Sequence, residues 1–204
     1  EAVGRVRVEL ARAIGLVEDA FRRGGRLFYV GAGTSGRLGV LDATECPPTF
    51  LTDPHMVQGI IAGGVAALTR SIEGAEDKAT DGERAVEDRE VGKNDVVFGI
   101  ATGGTTPFVH GAIAAAKRRG AKTVFLACVP REQVADEADV SIRVLTGPEV
   151  VTGSTRMKAG TAQKMILNML STAAMVRLGR VYGNWMIDVA LSNDRSSFLF
   201  HSSE

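Results

Sequence analysis

Residues 26–48 read Arg26-Leu-Phe-Tyr-Val-Gly-Ala-Gly-Thr-Ser-Gly-Arg-Leu-Gly-Val-Leu-Asp-Ala-Thr-Glu-Cys-Pro-Pro48, and this stretch sets the architecture. Its first five residues predict a short buried strand that runs directly into a glycine- and hydroxyl-rich turn at 31–36. A helical stretch from Arg37 to Glu45 follows. We expect that helix to end there, because Pro47 and Pro48 cannot continue it. Strand, glycine turn and helix in succession are typical of an α/β protein.

The rest of the chain repeats this alternation of strands and helices. An amphipathic helix is predicted at 5–23, because apolar residues recur three and four positions apart and Gly24-Gly25 follows. Further strands are predicted at 57–62, 95–101, 122–127 and 139–145, and further helices at 76–90, 107–119 and 155–178. We therefore expect a three-layer α-β-α sandwich around a parallel sheet of about five strands. Residues 195–204 carry no packing pattern, and we expect them to be frayed.

Composition and charge exclude several classes of protein. The chain has 204 residues, with 24 Lys+Arg against 24 Asp+Glu, so its formal net charge is zero. A nucleic-acid partner is not expected, because such binders normally carry a basic excess. An anionic ligand must then be held by local groups. No apolar run approaches the length of about 18 residues that a membrane helix needs, so no membrane partner is expected either.

The cysteines and histidines give no sign of a disulfide or a metal site. Cys46 and Cys128 lie far apart without a CxxC pair, which predicts two reduced thiols in a cytoplasmic protein. His55, His110 and His201 lack the spacing of metal ligands, so we expect no metal.

Glycine- and hydroxyl-rich turns occur at 31–36, 102–106 and 153–158, the first two directly after predicted strands. Ligands of open parallel sheets bind beyond the carboxyl ends of the strands. Bare glycine backbone, helix N-termini and hydroxyl groups together suit a phosphate. The candidate binding residues are Gly33, Thr34, Ser35, Thr102, Thr105, Thr106, Ser154, Thr155, Arg156 and Lys158. A helix cap accounts equally well for any one of these turns taken alone.

A dinucleotide site is the rival interpretation of the first turn. Gly31, Gly33 and Gly36 form a G-x-G-x-x-G pattern, and Asp53 follows at the spacing of a ribose-binding acid. That acid should close a second strand, whereas Asp53 lies in an irregular, proline-rich stretch. The hydroxyls of residues 34 and 35 also favour a compact monophosphate over a pyrophosphate. We therefore favour a monophosphate ligand.

Acid–base chemistry near a sugar carbonyl requires carboxyl groups close to this turn. Glu45 directly precedes Cys46-Pro-Pro48, and Glu76 lies at a predicted helix start, where it would also complement the helix dipole. Glu73 is a near neighbour and stays open as an alternative. Spacing alone does not pair any two of these acids.

Residues 31–50 resemble the hallmark segment of N-acetylmuramic acid 6-phosphate etherases, which are sugar isomerase (SIS) domain proteins related to the glucokinase regulatory protein. The resemblance continues through 58–64, 73–77, 150–163 and 167–172. It implies a flavodoxin-like SIS domain, and we expect residues 1–204 to form a single one, without most of the family's C-terminal helical region. The family's second turn reads Ala-Ser-Gly-Arg-Thr-Pro, whereas residues 102–107 read Thr-Gly-Gly-Thr-Thr-Pro.

The resemblance also implies an activity. The implied enzyme is a lyase that uses no cofactor. It would cleave the lactyl ether of N-acetylmuramate 6-phosphate by elimination and then water addition, giving N-acetylglucosamine 6-phosphate and D-lactate. The family's two catalytic glutamates fall on Glu45, as proton donor, and on Glu76. Two other functions stay open: a non-catalytic phosphosugar-binding regulator and an aldose–ketose phosphosugar isomerase.

Helix geometry raises a question about Glu45. A helix from Gly36 to Glu45 is about 15 Å long, so it carries this residue away from the turn at its start. Either the helix bends or breaks early, near Gly39, or Glu45 serves a site shared with a second subunit. Because proteins of this domain family usually pair, we expect a homodimer with the site near its interface.

Overall fold

The computed structural model describes residues 1–187, which are built around a five-stranded parallel sheet of order β2-β1-β3-β4-β5. The strands are β1 (Leu27–Gly31), β2 (Val57–Ile61), β3 (Val96–Ile100), β4 (Lys122–Ala127) and β5 (Val140–Arg143). Each lies within two residues of its predicted position. The order 2-1-3-4-5 is that of flavodoxin-like sheets. The predicted α/β class and the five-stranded parallel sheet are therefore confirmed.

Helices cover both faces of the sheet. Their bounds are α1 (Arg7–Arg22), α2 (Gly33–Phe50), α3 (Ala66–Thr69), α4 (Ala79–Glu87), α5 (Pro107–Arg118) and α6 (Lys158–Arg177). Side chains of α1, α2 and α6 pack on one face with Tyr29 and Phe98, and those of α4 and α5 pack on the other with Phe28 and Val97. All residues of β1 and β3 are buried, as expected for strands covered on both sides. A short antiparallel pair follows α6, formed by β6 (Val181–Tyr182) and β7 (Trp185–Met186).

The helix after the first glycine turn runs through Pro47 and Pro48 and ends at Phe50. The prediction that these prolines stop it is wrong. Cys46 and Phe50 are both buried in the core on this face, and their packing compensates for the two backbone hydrogen bonds that the prolines cannot make. The helix ends one turn later, where Leu51 takes up a left-handed conformation with φ of 48°.

Two other helices begin later than their sequence patterns predict. The helix predicted at 76–90 covers only Ala79–Glu87, and the one predicted at 155–178 starts at Lys158. Glycines bring α4 and α5 into close contact: a Cβ on Gly111 would lie 2.0 Å from the carbonyl oxygen of Ala79. No larger residue fits this crossing without moving one helix.

A buried ion pair closes the β5 edge of the sheet. The side chains of Asp136 and Arg143 are 1% and 11% exposed, and the Arg143 guanidinium donates to Oδ2 of Asp136. Burial disfavours the charged carboxylate, but hydrogen bonds from Ser141 and Arg143 outweigh it and lower the pKa of Asp136. The Arg143 guanidinium also lies 5.2 Å from the centre of the Phe125 ring.

Within residues 1–187, no helix combines the length and hydrophobicity needed to cross a membrane. The same residues contain no group of three or more His, Cys, Asp or Glu side chains arranged to hold a metal ion. The predicted fraying of 195–204 falls outside the described residues, and the single domain over 1–204 stays a prediction.

Candidate phosphosugar site

The first two glycine turns meet at one edge of the sheet. Residues 31–36 follow β1 and residues 102–106 follow β3, and these two strands are adjacent and parallel. The chain order reverses between these strands, and such a switch point is where flavodoxin-like sheets bind their ligands.

The first turn leads straight into α2 and leaves the start of that helix open. Gly33 has a φ of 52°, and α2 begins without a side-chain cap. Helix geometry gives the N–H groups of residues 33–35 no intrahelical acceptor. A Cβ on Gly36 would lie 2.7 Å from the carbonyl oxygen of Gly31, so the turn needs glycine to be this tight. The open helix start, with its partial positive charge, suits a phosphate.

A cavity of about 330 Å³ lies against this turn. It is lined by Gly33 and Arg37 of α2, and by Glu73 and Glu76 of the segment that precedes α4. Both acids are exposed. The cavity therefore brings two acidic residues together with an open helix start, which suits acid–base chemistry on a phosphorylated sugar.

Gln163 of α6 ties the first turn to the second. The Ser35 hydroxyl donates to Oε1 of Gln163 at 3.1 Å, and Nε2 of Gln163 donates to Oγ1 of Thr102 at 2.8 Å. Gln163 is fully buried and Ser35 is 6% exposed. The Ser35 proton is thus committed to Gln163, whereas the Thr102 hydroxyl accepts and keeps its own proton for another acceptor.

The second turn is held by its own backbone and by one histidine. Nε2 of His110 lies 2.6 Å from the carbonyl oxygen of Gly104, whose φ of 81° is in the left-handed region. Thr106 is the residue before α5 and makes no side-chain cap, and Thr105 is exposed. Both hydroxyls are available to a ligand, although neither lines the cavity beside Gly33.

The third turn does not offer an open helix start. The Glu149 carboxylate accepts from the backbone N–H groups of Lys158 at 2.9 Å and Ala159 at 3.0 Å, and thereby occupies the N-terminus of α6. The hydrogen bond from Ala159 is the main cause that lowers the pKa of Glu149, followed by the bond from Lys158. An anion would have to displace this carboxylate to bind there.

The cations of the third turn also point elsewhere. Arg156 and Lys158 line a separate cavity of about 530 Å³ together with Met157 and Met165. Lys158 Nζ donates to the carbonyl oxygen of Pro148. A Cβ on Gly160 would lie 3.5 Å from Cγ2 of Thr34, so the first turn of α6 is close to the first glycine turn.

Glu45 lies far from the cavity within one chain. The helix α2 is continuous from Gly33, without a break near Gly39, and twelve residues of helix rise separate Gly33 from Glu45 by about 18 Å. Glu45 is exposed. The prediction of an early break is therefore wrong, whereas a bend of the helix and a site shared with a second subunit both stay open.

A buried carboxylate fixes α2 close to Glu45. Oδ2 of Asp42 accepts from the Tyr29 hydroxyl at 2.8 Å, and Oδ1 accepts from Asn168 at 2.7 Å and from Ser171 at 3.2 Å. Asp42 is 4% exposed and Tyr29 is fully buried. Burial, together with the charge of Asp42, raises the pKa of Tyr29 well above its ordinary value. These bonds join α2 to β1 and to α6 at one point.

The structure thus brings Gly33 and Glu76 to one cavity, with Glu73 beside them, and places Thr34, Ser35 and Thr102 around the adjoining turns. It does not bring Glu45, Arg156 or Lys158 there. Ser154 is half-buried and Thr155 is exposed in the segment before α6, and neither lines the cavity. Sequence reasoning missed Arg37, Gln163 and Glu149. Arg37 carried a signal, because it follows the glycine turn directly on the same helix.

The sheet order, the open start of α2 and the acid-lined cavity define an α/β domain with a small polar cavity beside the carboxyl ends of β1 and β2. Two family models match this chain, the glucokinase regulatory protein N-terminal SIS domain at residues 9–117 and the SIS domain at residues 70–173. Each spans more than half of the 204 residues, and the chain therefore belongs to the SIS-domain family.

Among curated proteins, the relatives are named N-acetylmuramic acid 6-phosphate etherase. The protein from Crocosphaera subtropica is 64% identical over 195 residues, which are 96% of this chain and 64% of that protein. The protein from Nostoc punctiforme is 62% identical over 194 residues, which are 95% of this chain and 63% of that protein. The resemblance to the etherases is confirmed. The chain spans a little under two thirds of the length of these relatives.

Solved structures with the same fold are more distant in sequence. The phosphoheptose isomerase GmhA from Neisseria gonorrhoeae aligns with a TM-score of 0.57 at 17% identity, over 89% of this chain and 90% of that one. A phosphoheptose isomerase from Francisella tularensis aligns with a TM-score of 0.59 at 16% identity, over 86% of this chain and 90% of that one. At these identities the likeness supports the fold alone.

Proposed function

We propose that this protein is a lyase that cleaves the lactyl ether of N-acetylmuramate 6-phosphate, giving N-acetylglucosamine 6-phosphate and D-lactate. The observation that carries the proposal is the cavity that Glu76 shares with the open N-terminus of α2 at Gly33. The name borne by relatives 62–64% identical to this chain supports the same substrate.

The chemistry follows from the residue types. The sugar's 6-phosphate binds at the start of α2, where N–H groups and the helix dipole stabilise it. In the open-chain sugar, the C2 proton is acidic because C2 lies next to the aldehyde. Glu76 removes that proton, the C2–C3 double bond forms, and the lactyl oxygen leaves C3 with a proton from Glu45. Water then adds to the unsaturated aldehyde: its oxygen bonds to C3 as Glu45 takes a proton from it, and Glu76 returns its proton to C2, which restores both carboxyl groups.

We propose that Glu45 reaches the substrate from a second copy of the chain in a homodimer. Glu45 and Leu41 lie one turn apart on α2 and are both exposed. On α6, which packs against α2 through Asn168 and Asp42, Met165 and Met169 are 49% and 46% exposed. These exposed apolar side chains on α2 and α6 form surface that association would bury.

Two inactive variants test the function and the shared site together. Glu45→Gln and Glu76→Gln should each abolish release of lactate, measured with a lactate dehydrogenase assay, while N-acetylglucosamine 6-phosphate still binds. Full activity in both variants would refute the assignment of the glutamates. Wild-type protein that releases no lactate from N-acetylmuramate 6-phosphate would refute the activity itself.

Co-expression of the two variants separates a shared site from a site within one chain. In a two-fold symmetric dimer, half of the random pairs are mixed, and each mixed pair has one intact shared site out of two. About a quarter of the wild-type activity should therefore return. No recovery would mean that each site uses the Glu45 and Glu76 of its own chain.

A phosphosugar-binding regulator is the second candidate, favoured by the match of residues 9–117 to the glucokinase regulatory protein model. It predicts that the chain binds a hexose 6-phosphate and releases no lactate. An aldose–ketose isomerase is the third candidate, supported only by the fold that this chain shares with a phosphoheptose isomerase. Isomerisation would need the same abstraction of the C2 proton but no leaving group. The lactate assay distinguishes both from the lyase.

We also propose a cytoplasmic location and no cofactor. Cys46 and Cys128 are free thiols, as is usual for proteins of a reducing compartment. Two carboxyl groups and one water molecule supply and accept every proton in the elimination and hydration steps, so the proposed reaction needs no cofactor.

A further inference from the structure

The segment 63–78, here called the strap, closes one side of the cavity and carries Glu73 and Glu76. It is weakly attached to the rest of the fold. Its one buried residue is Ala67, and most of the others are exposed. Gly63, Gly64 and Gly74 have φ between 66° and 83°, so the strap turns sharply at both ends.

The strap is attached at its two ends, by packing at its beginning and by a hydrogen bond near its end. At its beginning, a Cβ on Gly63 would lie 3.1 Å from Cβ of Ile72 and 3.2 Å from Cβ of Ala75, so the strap folds back on its own base. Near its end, the carbonyl oxygen of Glu76 accepts from the N–H of Phe108 at 3.0 Å. These contacts leave its middle, around 68–70, to be held by something else.

Arg37 of α2 supplies that attachment. Its Nε donates to the carbonyl oxygen of Leu68 at 3.2 Å, and its Nη2 donates to the carbonyl oxygen of Arg70 at 3.1 Å. These bonds use two of its five donors. Arg37 is half-buried and lines the cavity, and within residues 1–187 no carboxylate lies within ion-pair distance of it. The planar guanidinium spans two carbonyl groups, which a lysine ammonium cannot do in the same geometry.

We propose that Arg37 is a positioning residue that fixes the strap to α2 and thereby sets the position of Glu76 relative to a phosphate bound at Gly33. The same helix turn that would hold the phosphate end of the sugar carries the side chain that holds the acid-bearing strap. This inference rests on the proposed function only for its effect on turnover.

Arg37→Lys and Arg37→Met test the role, with the exposed Arg12→Lys on α1 as the matched control. Hydrogen exchange of residues 65–76 should become about tenfold faster in both Arg37 variants, because one to two net hydrogen bonds are lost, and stay unchanged in β3 and in the control. N-acetylglucosamine 6-phosphate should slow this exchange in the wild type and much less in Arg37→Lys.

Turnover gives the second readout. We expect kcat of Arg37→Lys to fall about tenfold while its KM for the phosphosugar changes by less than about twofold, because the charge is kept and the position of Glu76 is not. Near wild-type kcat and KM in Arg37→Lys, with a raised KM in Arg37→Met, would make Arg37 a direct charge partner of the phosphate and overturn the proposal. Unchanged exchange in Arg37→Lys would also overturn it, as would faster exchange with unchanged kcat. A wild type without lactate release refutes the proposed function instead, and the exchange result still decides whether Arg37 holds the strap.

Discussion

Replacement of Gln163 by leucine should destabilise the protein, because it removes the hydrogen bonds that connect the two glycine turns. The change leaves the Ser35 hydroxyl, 6% exposed, without its acceptor, and leaves Thr102 without its donor. An unsatisfied buried polar group costs about 1–3 kcal/mol, and Thr102 is half-buried and regains water, so we expect a total near 2 kcal/mol. For a domain of this size, that corresponds to a fall in Tm of about 4–8 °C.

Urea unfolding followed by circular dichroism measures this loss, with the exposed Gln133→Leu as a control that should change the free energy of unfolding by less than about 0.5 kcal/mol. A double-mutant cycle with Ser35→Ala isolates the bond, because Gln163→Leu should cost at least about 0.5 kcal/mol less in that background. A loss below about 0.5 kcal/mol, or strictly additive effects, would refute the argument that Gln163 joins the turns.

Two further predictions concern stability alone. Since the folded-state pKa of Asp136 is lowered, its carboxylate stabilises the protein above its ordinary pKa of 3.8, and this stabilisation is lost as the pH falls through the lowered value. Asp136→Asn should therefore cost about 3 kcal/mol at pH 7 and progressively less below pH 4, measured by denaturant unfolding at a series of pH values; a pH-independent cost would contradict the charge argument. Gly111→Ala should destabilise by about 2 kcal/mol, because its Cβ would lie 2.0 Å from the Ala79 carbonyl oxygen. Gly15→Ala on α1, with open space around it, should instead stabilise by up to about 1 kcal/mol. Thermal unfolding of both variants measures the two effects, and equal effects would show that helix propensity decides both.

The elements that local pattern determines were predictable, and those that depend on distant partners were not. The strands follow from short buried runs, and the turn at Gly33 follows from its glycines, because both signals lie within a few residues. The passage of α2 through Pro47 depends on burial of Phe50 against the core, which no local rule contains.

The same distinction holds within the candidate site. Gln163 bonds to Ser35, which is 128 positions away, so only the fold reveals the pair. The N-terminus of α6 appeared open to an anion because Ser154 and Thr155 precede it, but the cap comes from Glu149, outside that motif. The alternatives for Glu45 came from helix rise alone, and the continuous helix excludes one of them, an early break.

The bonds that Asp42 makes to Tyr29, Asn168 and Ser171 prevent α2 from rolling about its own axis. Glu45 lies three residues further along the same helix, so its position on the surface is fixed while the domain stays folded. If the proposed dimer brings both glutamates to one sugar, the site is assembled by association of two folded chains and not by a rearrangement within one chain. Turnover per chain would then depend on protein concentration, and dilution would serve as an off switch that requires no change in the fold of either copy.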